Sequence, residues 1–460
     1  MTNEIINQEK FNEILQKTKN PTPELIKDIL DKANEKQGLN LEEIGFLVNA
    51  DSPQLMAEIY ETAGRIKDEI YGERLVFFAP LYVSNFCIND CAYCNYHLSN
   101  RELTRHRLTL EEVQEQTELL LKMGHKRVLL ELGEDPINNP IDYVVEVIEK
   151  IYSVRLPVGN IRRINVNIGA TTVENYKKLK QAGIGTYQLF QETYHQETYQ
   201  RLHRGPKADY IRQLTAHERA FEAGIDDLGL GVLFGLYDWR FEVLALVSHA
   251  QYFEQRYGVG PHTFSVPRFR EGSTISYHPD RYKVSDADFL KIIAILRLAV
   301  PYTGMIISTR ETPKIRKIAY RIGISQTSAG SVTTVGGYGR DNGNGQFTVY
   351  DQRSLKEVIS TVLQDRLLPS FCTACYRRGR TGDVFMGLAK PGEIHNFCRP
   401  NGLLTFAEYL EDFANKSNGL YQKGYEVVNF YLNKMEDENL RHQTEKYLKR
   451  IKEGKRDLYF

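Results

Sequence analysis

The chain lacks a surplus of charge of either sign and lacks any long hydrophobic run. Its 460 residues include 59 Lys and Arg and 59 Asp and Glu, which gives a formal net charge of zero. A chain without a basic surplus is not expected to bind nucleic acid or an anionic membrane, and small molecules are favoured as its partners. No run of about eighteen apolar residues occurs, and the polar start MTNEIINQEKFNEIL contains no signal-peptide core. These absences predict a soluble, cytoplasmic protein.

Cysteine is also scarce, and its distribution is uneven. The six cysteines form two groups of three, Cys87, Cys91, Cys94 and Cys372, Cys375, Cys398. A secreted disulfide scaffold would carry more cysteines in scattered pairs, so the grouping indicates metal binding in a reducing compartment. With 42% hydrophobic residues, the chain can bury the core of one large catalytic domain and smaller appended segments.

The hydrophobic pattern predicts an α/β fold. Residues 1–70 have apolar positions at helical spacing and predict an N-terminal helical cap. From Arg74 onwards strands alternate with amphipathic helices, as in repeated βα units around a parallel sheet; one helix has a capping box at Thr109 and Glu112 and a C-cap at Gly124. The predicted strands cover 74–84, 127–133, 162–168, 186–192, 227–235, 262–268, 304–310 and 323–334. Eight such strands predict a (β/α)8 barrel of the TIM type.

Three domains follow from this pattern. We expect an N-terminal helical extension at 1–70, the barrel at 71–345 and a small, mostly helical C-terminal domain at 346–460. The Gly-rich segment GGYGRDNGNG at 336–345 is predicted to be a mobile connection. In a parallel barrel the reactive groups lie on the loops after the strands, so chemistry is expected after residues 84, 133, 192, 268 and 310.

The first cysteine group follows the first predicted strand. Cys87, Cys91 and Cys94 lie within eight residues, and a loop of this kind can wrap one face of a [4Fe–4S] cluster. Three thiolates leave one iron open, and the amino and carboxylate groups of S-adenosylmethionine (SAM) can chelate an open iron. The alternative is a Cys3His zinc site completed by His97.

This CxxxCxxC motif, with Tyr93 before its last cysteine, resembles the motif of radical SAM enzymes. The resemblance implies that the cluster reduces SAM to release a 5′-deoxyadenosyl radical. It also implies that Glu134, in a Leu-Gly-Glu turn where relatives have Gly-Gly-Glu, holds the SAM amino group. Glu192 aligns with a residue that reaches the SAM ribose, and Arg212 with one that pairs with the SAM carboxylate. Without the resemblance, Glu192 is read as a helix N-cap or surface group and Arg212 as a solvated helix residue.

The second cysteine group lies outside the predicted barrel. Cys372-Thr-Ala-Cys375 is followed later by Cys398, so a second metal site is expected. His395 would complete a CxxC…HxxC zinc site, which is the alternative. The chain has the motif CxxxCxxC near its start and the segments CTACYRRGRTG and HNFC near its end. This combination resembles the HydG family, the tyrosine lyases of [FeFe]-hydrogenase maturation. The resemblance covers nearly the whole chain.

The HydG resemblance implies an auxiliary [4Fe–4S] cluster on Cys372, Cys375 and Cys398. The fourth iron of this cluster is expected to connect, through the thiolate of a non-protein amino acid, to an additional iron on which Fe(CO)(CN) units are built. A histidine of the barrel is expected to bind the additional iron. His262 in GPHTFSVPR matches best and His278 in SYHPDRY is the rival, although a solitary histidine in a strand is more often a core residue.

The same resemblance implies free L-tyrosine as the substrate. Its Cα–Cβ bond would be cleaved to p-cresol and dehydroglycine, and dehydroglycine would yield CO and cyanide. An arginine is the natural clamp for the tyrosine carboxylate, because a guanidinium can bind it in a bidentate pair. Arg310 in STRE is predicted for this role, and Arg268 is the alternative. Ser325, Ser328 and Ser331 either line the pocket or end a strand.

Other functions are compatible with parts of the sequence. A ThiH-like tyrosine lyase for thiazole synthesis would share the barrel and the first cysteine group but lack the second. A sulfur-inserting radical SAM enzyme would sacrifice its auxiliary cluster, and a carrier would pass on a preformed cluster without catalysis. For the HydG interpretation we expect tyrosine, SAM, an electron donor of the ferredoxin or flavodoxin type and hydrogenase maturation proteins as partners, and sensitivity to oxygen.

Overall fold

The chain folds around a closed barrel of parallel strands. The computed structural model describes residues 2–272, 274–279, 281–340, 345–417 and 419–460, apart from the side chains of residues 2 and 3. The strands are β1 Arg74–Ser84, β2 Arg127–Leu132, β3 Arg163–Asn167, β4 Tyr187–Gln188, β5 Leu228–Gly231, β6 Thr263–Ser265, β7 Gly304–Ile307, β8 Gln326–Ser328 and β9 Leu368–Ser370. The first eight follow one another in parallel, and β1 pairs with both β2 and β8. The predicted eight-stranded barrel is therefore confirmed.

Helices surround the barrel and precede and follow it. They are α1 Thr2–Ile5, α2 Gln8–Lys17, α3 Pro23–Ala33, α4 Leu41–Asn49, α5 Pro53–Tyr71, α6 Leu110–Met123, α7 Ile141–Ser153, α8 Val173–Gln181, α9 Gln196–Leu202, α10 Tyr210–Leu214, α11 Ala216–Glu222, α12 Trp239–Tyr257, α13 Asp286–Ala299, α14 Pro313–Ile322, α15 Leu355–Gln364, α16 Ala374–Arg377, α17 Gly382–Ala389, α18 His395–Phe413, α19 Gly419–Asn433 and α20 Glu438–Lys452, with a 3-10 turn at Pro206–Ala208. The predicted capping box of α6 is present, because Thr109 Oγ1 accepts from Glu112 N and Glu112 Oε2 accepts from Thr109 N. Gly124 ends this helix with φ +105°, as a C-cap glycine does.

Several strands are shorter than the hydrophobic pattern predicts. The fourth predicted strand, 186–192, is reduced to Tyr187–Gln188. Beyond Gln188 the chain bends into a loop at the barrel mouth, where Glu192 has φ +68° and meets Val232 through an isolated bridge. The residues that follow the last hydrogen bond between the strands are still apolar, because the loops at the barrel mouth are buried as well. Hydrophobicity alone therefore overestimates the length of the strand.

The sequence pattern did not predict β9, which belongs to the part of the chain expected to be mostly helical. β9 pairs with Arg74–Val76 at the start of β1. Because Val76 also pairs with Gln326 of β8, β9 must lie on the edge of β1 that β2 occupies further along. Its three residues include Pro369 and are too short for an alternating signal. The strand brings the chain to the N-terminal end of the barrel directly before Cys372.

The helices before β1 pack against the outer helices of the barrel, and they are helical as predicted. Phe11 of α2 meets Phe241 of α12 edge to face, with ring centroids 5.5 Å apart. Lys291 of α13 donates to the carbonyl of Ala50 and forms an ion pair with Asp51 at 2.9 Å. The boundaries of the three proposed domains stay a prediction. Among the described residues, none of the helices is long and apolar enough to cross a membrane.

The chain after the Gly-rich segment returns across the barrel mouth. Residues 341–344 of that segment lie outside the described residues. The carbonyl of Gly345 accepts from Asn95 Nδ2 at 3.0 Å, and Gln346 Oε1 accepts from the Tyr82 hydroxyl at 2.9 Å. Further along, Asp351 is fully buried and pairs with the buried Arg316 of α14. Residues 345–351, called the mouth segment below, are therefore fixed to the barrel by polar contacts.

We expect Asp351→Asn to destabilise the fold by about 3–5 kcal/mol, because it leaves the buried guanidinium of Arg316 without its counter-charge. Hydrogen bonds from Arg316 to Thr327 and Ser328 remain, so the loss measures the ion pair and not the whole network. The measurement is urea-induced unfolding under anaerobic conditions.

The control is Glu115→Gln, which removes an exposed ion pair with Arg340. This change is expected to cost about 1 kcal/mol or less. Equal unfolding midpoints for Asp351→Asn and the wild type would contradict the structural role of the buried pair.

Candidate active site

The first cysteine group lies at the C-terminal mouth of the barrel. Cys87, Cys91 and Cys94 follow β1 and line a cavity that extends down into the barrel. Main-chain hydrogen bonds hold their loop to neighbouring loops, from Ile88 N to the Glu134 carbonyl at 2.9 Å and from Ala92 N to the Leu202 carbonyl at 3.0 Å. The three thiols thus face the region where a parallel barrel places its reactive groups.

Gly133 allows the turn after β2 to approach this loop closely. A Cβ at Gly133 would lie 2.3 Å from the Phe86 carbonyl oxygen and 3.0 Å from Cys87 Cβ. Any side chain would therefore push the cysteine loop away from the turn. The glycine of this Leu-Gly-Glu turn is therefore required by close packing.

The electrostatics of the mouth fit a metal cluster on the three cysteines. Burial raises the pKa of each thiol, that of Cys94 to about 11, and the nearby ammonium of Lys207 opposes the rise. Thiolates here need the positive charge of bound metal, which the iron of a cluster supplies. His97, the fourth ligand of the zinc alternative, is already engaged. Its Nδ1 lies 3.0 Å from Ser99 Oγ and its Nε2 lies 3.1 Å from the Thr274 carbonyl.

Glu134 and Arg212, two predicted SAM-binding residues, lie next to each other. Arg212 Nη2 donates to Glu134 Oε1 at 2.5 Å, and Asn89 Nδ2 donates to Glu134 Oε2 at 2.7 Å. Asn89 belongs to the cysteine loop, so it ties the carboxylate to the metal-binding segment. A Cβ at Gly169 would lie 2.8 Å from the Glu134 carboxyl carbon, so the third strand's loop also leaves room for this group.

Glu192, the third predicted SAM-binding residue, forms an ion pair that the sequence did not reveal. Lys207 Nζ lies 2.6 Å from Glu192 Oε1, and the Lys207 amide donates to Asn89 Oδ1 at 2.8 Å. Glu192 adopts a left-handed backbone conformation that costs a non-glycine residue on the order of 1 kcal/mol. Such local strain is typical of functional sites. Lys207 had no motif to identify it, since only the fold brings its loop to the cysteines.

The two candidate arginines for the substrate carboxylate lie in different environments. Arg310 lines the mouth cavity, and its guanidinium carbon lies 3.3 Å from the ring centroid of Phe347 in the mouth segment. Arg268 is 4% exposed and bonded to Glu311, Asp286 and the Val284 carbonyl. The structure therefore brings Arg310 to the cavity, whereas Arg268 is committed to a buried network outside it.

The three serines named from the sequence also differ in whether they line the cavity. Ser328 and Ser331 line the mouth cavity. Ser325 instead accepts a hydrogen bond from the Met305 amide at 3.1 Å and so supports β7. Gln346 and Phe347 of the mouth segment also line the cavity, and the sequence did not identify them.

The second cysteine group lies at the opposite, N-terminal end of the barrel. Cys372 follows β9, Cys375 lies in α16 and Cys398 in α18, and all three line one buried pocket. Arg74 and His262, at the starts of β1 and β6, line the same pocket. This end of a parallel barrel normally carries no chemistry. The auxiliary site therefore depends on segments added after the barrel.

Charge in the second pocket also fits a cluster. Burial raises the pKa of Cys375 to about 12 and raises that of Cys398, whereas the guanidinium groups of Arg74 and Arg380 oppose these shifts. As in the first group, a bound metal would favour the thiolate forms of Cys375 and Cys398. Arg377, which follows the lining residue Tyr376, pairs with Asp457 at 2.8 Å.

His262 is the histidine that the fold brings to the second cysteines. Its ring stacks on Phe385 with centroids 3.9 Å apart, and its Nδ1 lies 3.2 Å from Asp227 Oδ2. Burial lowers the pKa of His262, although Asp227 opposes the shift, so the neutral ring that can bind metal is favoured. A carboxylate beside one ring nitrogen leaves the other nitrogen for a metal.

The other two histidines named from the sequence lie elsewhere. His278 is exposed on a loop at the barrel mouth, beside Tyr277, whose hydroxyl donates to the Gly235 carbonyl. His395 lines a separate groove with Arg65 and Asp437 and not the pocket of the second cysteines. The zinc alternative at this site therefore loses its fourth ligand.

Comparison with known proteins places the chain among iron–sulfur enzymes. Residues 81–246 match the family model of the radical SAM superfamily, and residues 265–366 match the biotin and thiamin synthesis associated domain. The chain is 30% identical to 2-iminoacetate synthase of Salmonella typhimurium, over 74% of this chain and 89% of that protein. It is 26% identical to the [FeFe] hydrogenase maturase subunit HydE of Thermotoga maritima, over 58% of this chain and 72% of that protein.

Two solved structures match over nearly the full length. A crystal structure of HydG, a maturase of the [FeFe]-hydrogenase, is 52% identical, covers 100% of both chains and superimposes with a TM-score of 0.96. The structure of the FeFe-hydrogenase maturase HydG from Carboxydothermus hydrogenoformans is 41% identical, covers 97% of this chain and 99% of that chain, and has a TM-score of 0.86.

We expect Gly133→Ala to lose the first cluster selectively. The added methyl group displaces the cysteine loop, so the reconstituted enzyme should hold roughly half the iron of the wild type, since the second set of ligands is untouched. Iron analysis and EPR spectroscopy of the reduced protein would measure this.

The matched control is Gly387→Ala, on an exposed face of α17 where a Cβ meets nothing within 4 Å. It should bind full iron and be neutral or stabilising by up to about 1 kcal/mol. Full iron content in Gly133→Ala would show that the close approach is not needed.

Proposed function

The chain belongs to the radical SAM superfamily and, within it, to the HydG family, and on this basis we propose that it cleaves free L-tyrosine at the Cα–Cβ bond to p-cresol and dehydroglycine. We further propose that dehydroglycine is converted to CO and cyanide at the auxiliary cluster, where an Fe(CO)(CN) unit for the hydrogenase H-cluster is built. Both steps would occur within one barrel, the first at its C-terminal mouth and the second at its N-terminal end.

The observation that carries this proposal is the arrangement of the two cysteine groups along one barrel axis. Neighbouring inward positions of the same strand line the two pockets, Val76 and Phe78 on β1 and Gln326 and Ser328 on β8. Inward positions on a strand are about 6.6 Å apart, so one layer of side chains separates the pockets. A small product formed at the mouth would have to pass only this layer to reach the second site.

At the mouth, Cys87, Cys91 and Cys94 would hold a [4Fe–4S] cluster with one iron open to SAM. SAM bound there supplies the hydrogen-abstracting radical. Glu134 and Arg212 would offer opposite charges to its amino and carboxylate groups, and Glu192 would face its ribose. The fit rests on the three thiols and on the carboxylates that line the same cavity.

Arg310 would bind the carboxylate of tyrosine. Among the described residues, its guanidinium forms no ion pair with Asp or Glu, although it lines the cavity. The ring of Phe347 covers one face of the guanidinium and leaves its donor edge for a bidentate contact. This fixes the substrate backbone relative to the cysteines above it.

At the other end, Cys372, Cys375 and Cys398 would hold the auxiliary [4Fe–4S] cluster, and His262 would bind the additional iron that a non-protein amino-acid thiolate links to it. Arg74 also lines this pocket, and its positive charge suits an anionic product such as cyanide. We assign this site to a C-terminal domain at 346–460 that follows a helical extension at 1–70 and the barrel at 71–345.

The proposal includes the partners expected for such an enzyme. They are SAM and tyrosine as small molecules, a ferredoxin or flavodoxin as electron donor and hydrogenase maturation proteins that receive the product, all in the cytoplasm. A ThiH-like lyase would share the first reaction, which agrees with the identity to 2-iminoacetate synthase. The second cysteine pocket with His262 favours the two-step function over that alternative.

We expect the double variant Cys372→Ala/Cys375→Ala to separate the two reactions. After anaerobic reconstitution and incubation with SAM, dithionite and tyrosine, the wild type should form p-cresol, 5′-deoxyadenosine, CO and cyanide. The variant should keep p-cresol and lose CO, because only the second site is removed. Formation of 5′-deoxyadenosine without p-cresol in the wild type would mean that tyrosine is not the substrate.

Arg310→Lys is expected to lower kcat/KM for tyrosine by about 10²-fold, since lysine cannot reproduce a bidentate contact and misplaces the substrate. Cleavage of SAM without tyrosine should persist. Arg321→Lys, on an exposed turn of α14, is the control and should behave as wild type. An unchanged KM and kcat in Arg310→Lys would remove Arg310 from the substrate site.

A further inference from the structure

The mouth cavity is lined by Glu131, Glu134 and Glu192. Two of these carboxylates already form an ion pair with a basic side chain. Glu134 pairs with Arg212 at 2.5 Å, and Glu192 pairs with Lys207 at 2.6 Å. Within the described part of the chain, no Lys or Arg forms an ion pair with Glu131. This carboxylate is therefore uncommitted in a cavity whose other negative charges are balanced.

The position of Glu131 on β2 directs it into the barrel. Val128 and Leu130 belong to the buried core outside the barrel, whereas Leu129 and Glu131 line the cavity. Leu129 joins Phe78 and Ile306 in a small apolar cluster at the cavity floor. A carboxylate placed directly above such a floor costs free energy unless it has partners. Packing alone therefore does not explain why a carboxylate occupies this position.

The neighbours of Glu131 leave most of its hydrogen-bonding capacity unused. It lies in register between Tyr82 of β1 and Asn167 of β3. The Asn167 side chain hydrogen-bonds to it, but the Tyr82 hydroxyl donates to Gln346. An ionised carboxylate can accept about four hydrogen bonds, so donors from a ligand have room.

The nearest uncommitted positive charge in the cavity is that of Arg310. The two groups interact electrostatically: burial raises the pKa of Glu131 and lowers that of Arg310, and the charge of each group opposes the shift of the other. One carboxylate and one guanidinium, each without an ion-pair partner among the described residues, complement the two charges of a free amino acid.

We propose that Glu131 binds the α-ammonium group of the substrate and takes one proton from it before a hydrogen atom is removed from that nitrogen. The inference rests on the proposed cleavage of tyrosine. In this step an N–H bond of the ammonium breaks and an O–H bond forms on Glu131, giving a neutral amine and a carboxylic acid, and no electron moves. The amine then has the lone pair that a nitrogen-centred radical needs.

The acidity of Glu131 is suited to this role. Burial raises its pKa to about 8 against the opposing effects of Asn167 and Arg310, and the negative charge of Glu192 adds to the rise. A base with a pKa near the working pH accepts a proton readily and is still ionised in part of the molecules.

The first test is a binding measurement without turnover. Reconstituted enzyme with SAM, kept oxidised, is titrated with tyrosine and with 3-(4-hydroxyphenyl)propionate, which lacks the amino group. The wild type should bind tyrosine at least about 10-fold more tightly, and Glu131→Gln should lose that preference, because one charge-assisted contact is worth roughly 1.5–3 kcal/mol. Glu131→Asp, which keeps the charge, should retain part of it.

The control for this titration is Glu218→Gln. Glu218 accepts hydrogen bonds from Tyr252 and Tyr257 on the outside of the barrel, so its variant should keep the wild-type preference. A Glu131→Gln enzyme that still prefers tyrosine to the desamino compound would overturn the proposal.

The second test is the pH profile of p-cresol formation. We expect Glu131→Gln to lower kcat/KM by about 10²-fold at pH near 7, the usual contribution of a general base. The deficit should shrink as the pH is raised above about 8, because bulk base then deprotonates the substrate. A deficit that stays constant with pH would indicate a structural role and overturn the proposal.

The two tests distinguish this inference from the proposed function. If the wild type forms no p-cresol from tyrosine, the proposed reaction itself is wrong. If the wild type forms p-cresol and Glu131→Gln matches it in rate and pH profile, the reaction stands and the role of Glu131 falls.

Discussion

The closure of the barrel through β1 determines where both cysteine pockets lie. This strand has 11 residues and spans about 33 Å, and it pairs with β2, β8 and β9. Arg74 at its start faces the second cysteine pocket, and its end at Ser84 leads into the loop of Cys87. The two cysteine groups thus lie at opposite ends of one strand. A slip of one residue in its register would turn the wrong side chains into both pockets.

Charge balance distinguishes the groups that hold the site together from those left for ligands. In the mouth cavity, Arg212 and Lys207 neutralise Glu134 and Glu192, and these pairs position the cysteine loop through Asn89. Burial raises the pKa of Cys87, Cys91 and Cys94 at one end and of Cys375 and Cys398 at the other, so a bound cation would complete the electrostatics of each pocket. Among the described residues, the charged groups of the cavity that remain without an ion-pair partner are Arg310 and Glu131. Their charges are opposite to those of the carboxylate and ammonium groups of a free amino acid.

The parts of the fold and site that depend on local sequence could be predicted, and those that depend on tertiary contacts could not. The spacing of Cys87, Cys91 and Cys94 is a local property, and the strand pattern repeats along the chain, so the cluster loop and the barrel were both predictable. Lys207 and Phe347 reach the cavity only because distant segments meet there. β9 is too short for a periodic signal, and strand ends were overestimated because the mouth loops are buried like the strands.

The two cysteine groups differ in how much of the fold they need. The first lies on one loop, whereas the second combines Cys372, Cys375 and Cys398 from β9 and two helices with a pocket wall at Arg74 and His262. An unfolded chain keeps the first group together but disperses the second. A metal cluster bound at the second pocket would therefore favour the folded chain over the unfolded one by mass action, and the free energy of its binding would contribute to the stability of the whole barrel. Loss of that cluster would then lower the thermal stability of the protein as well as remove a cofactor.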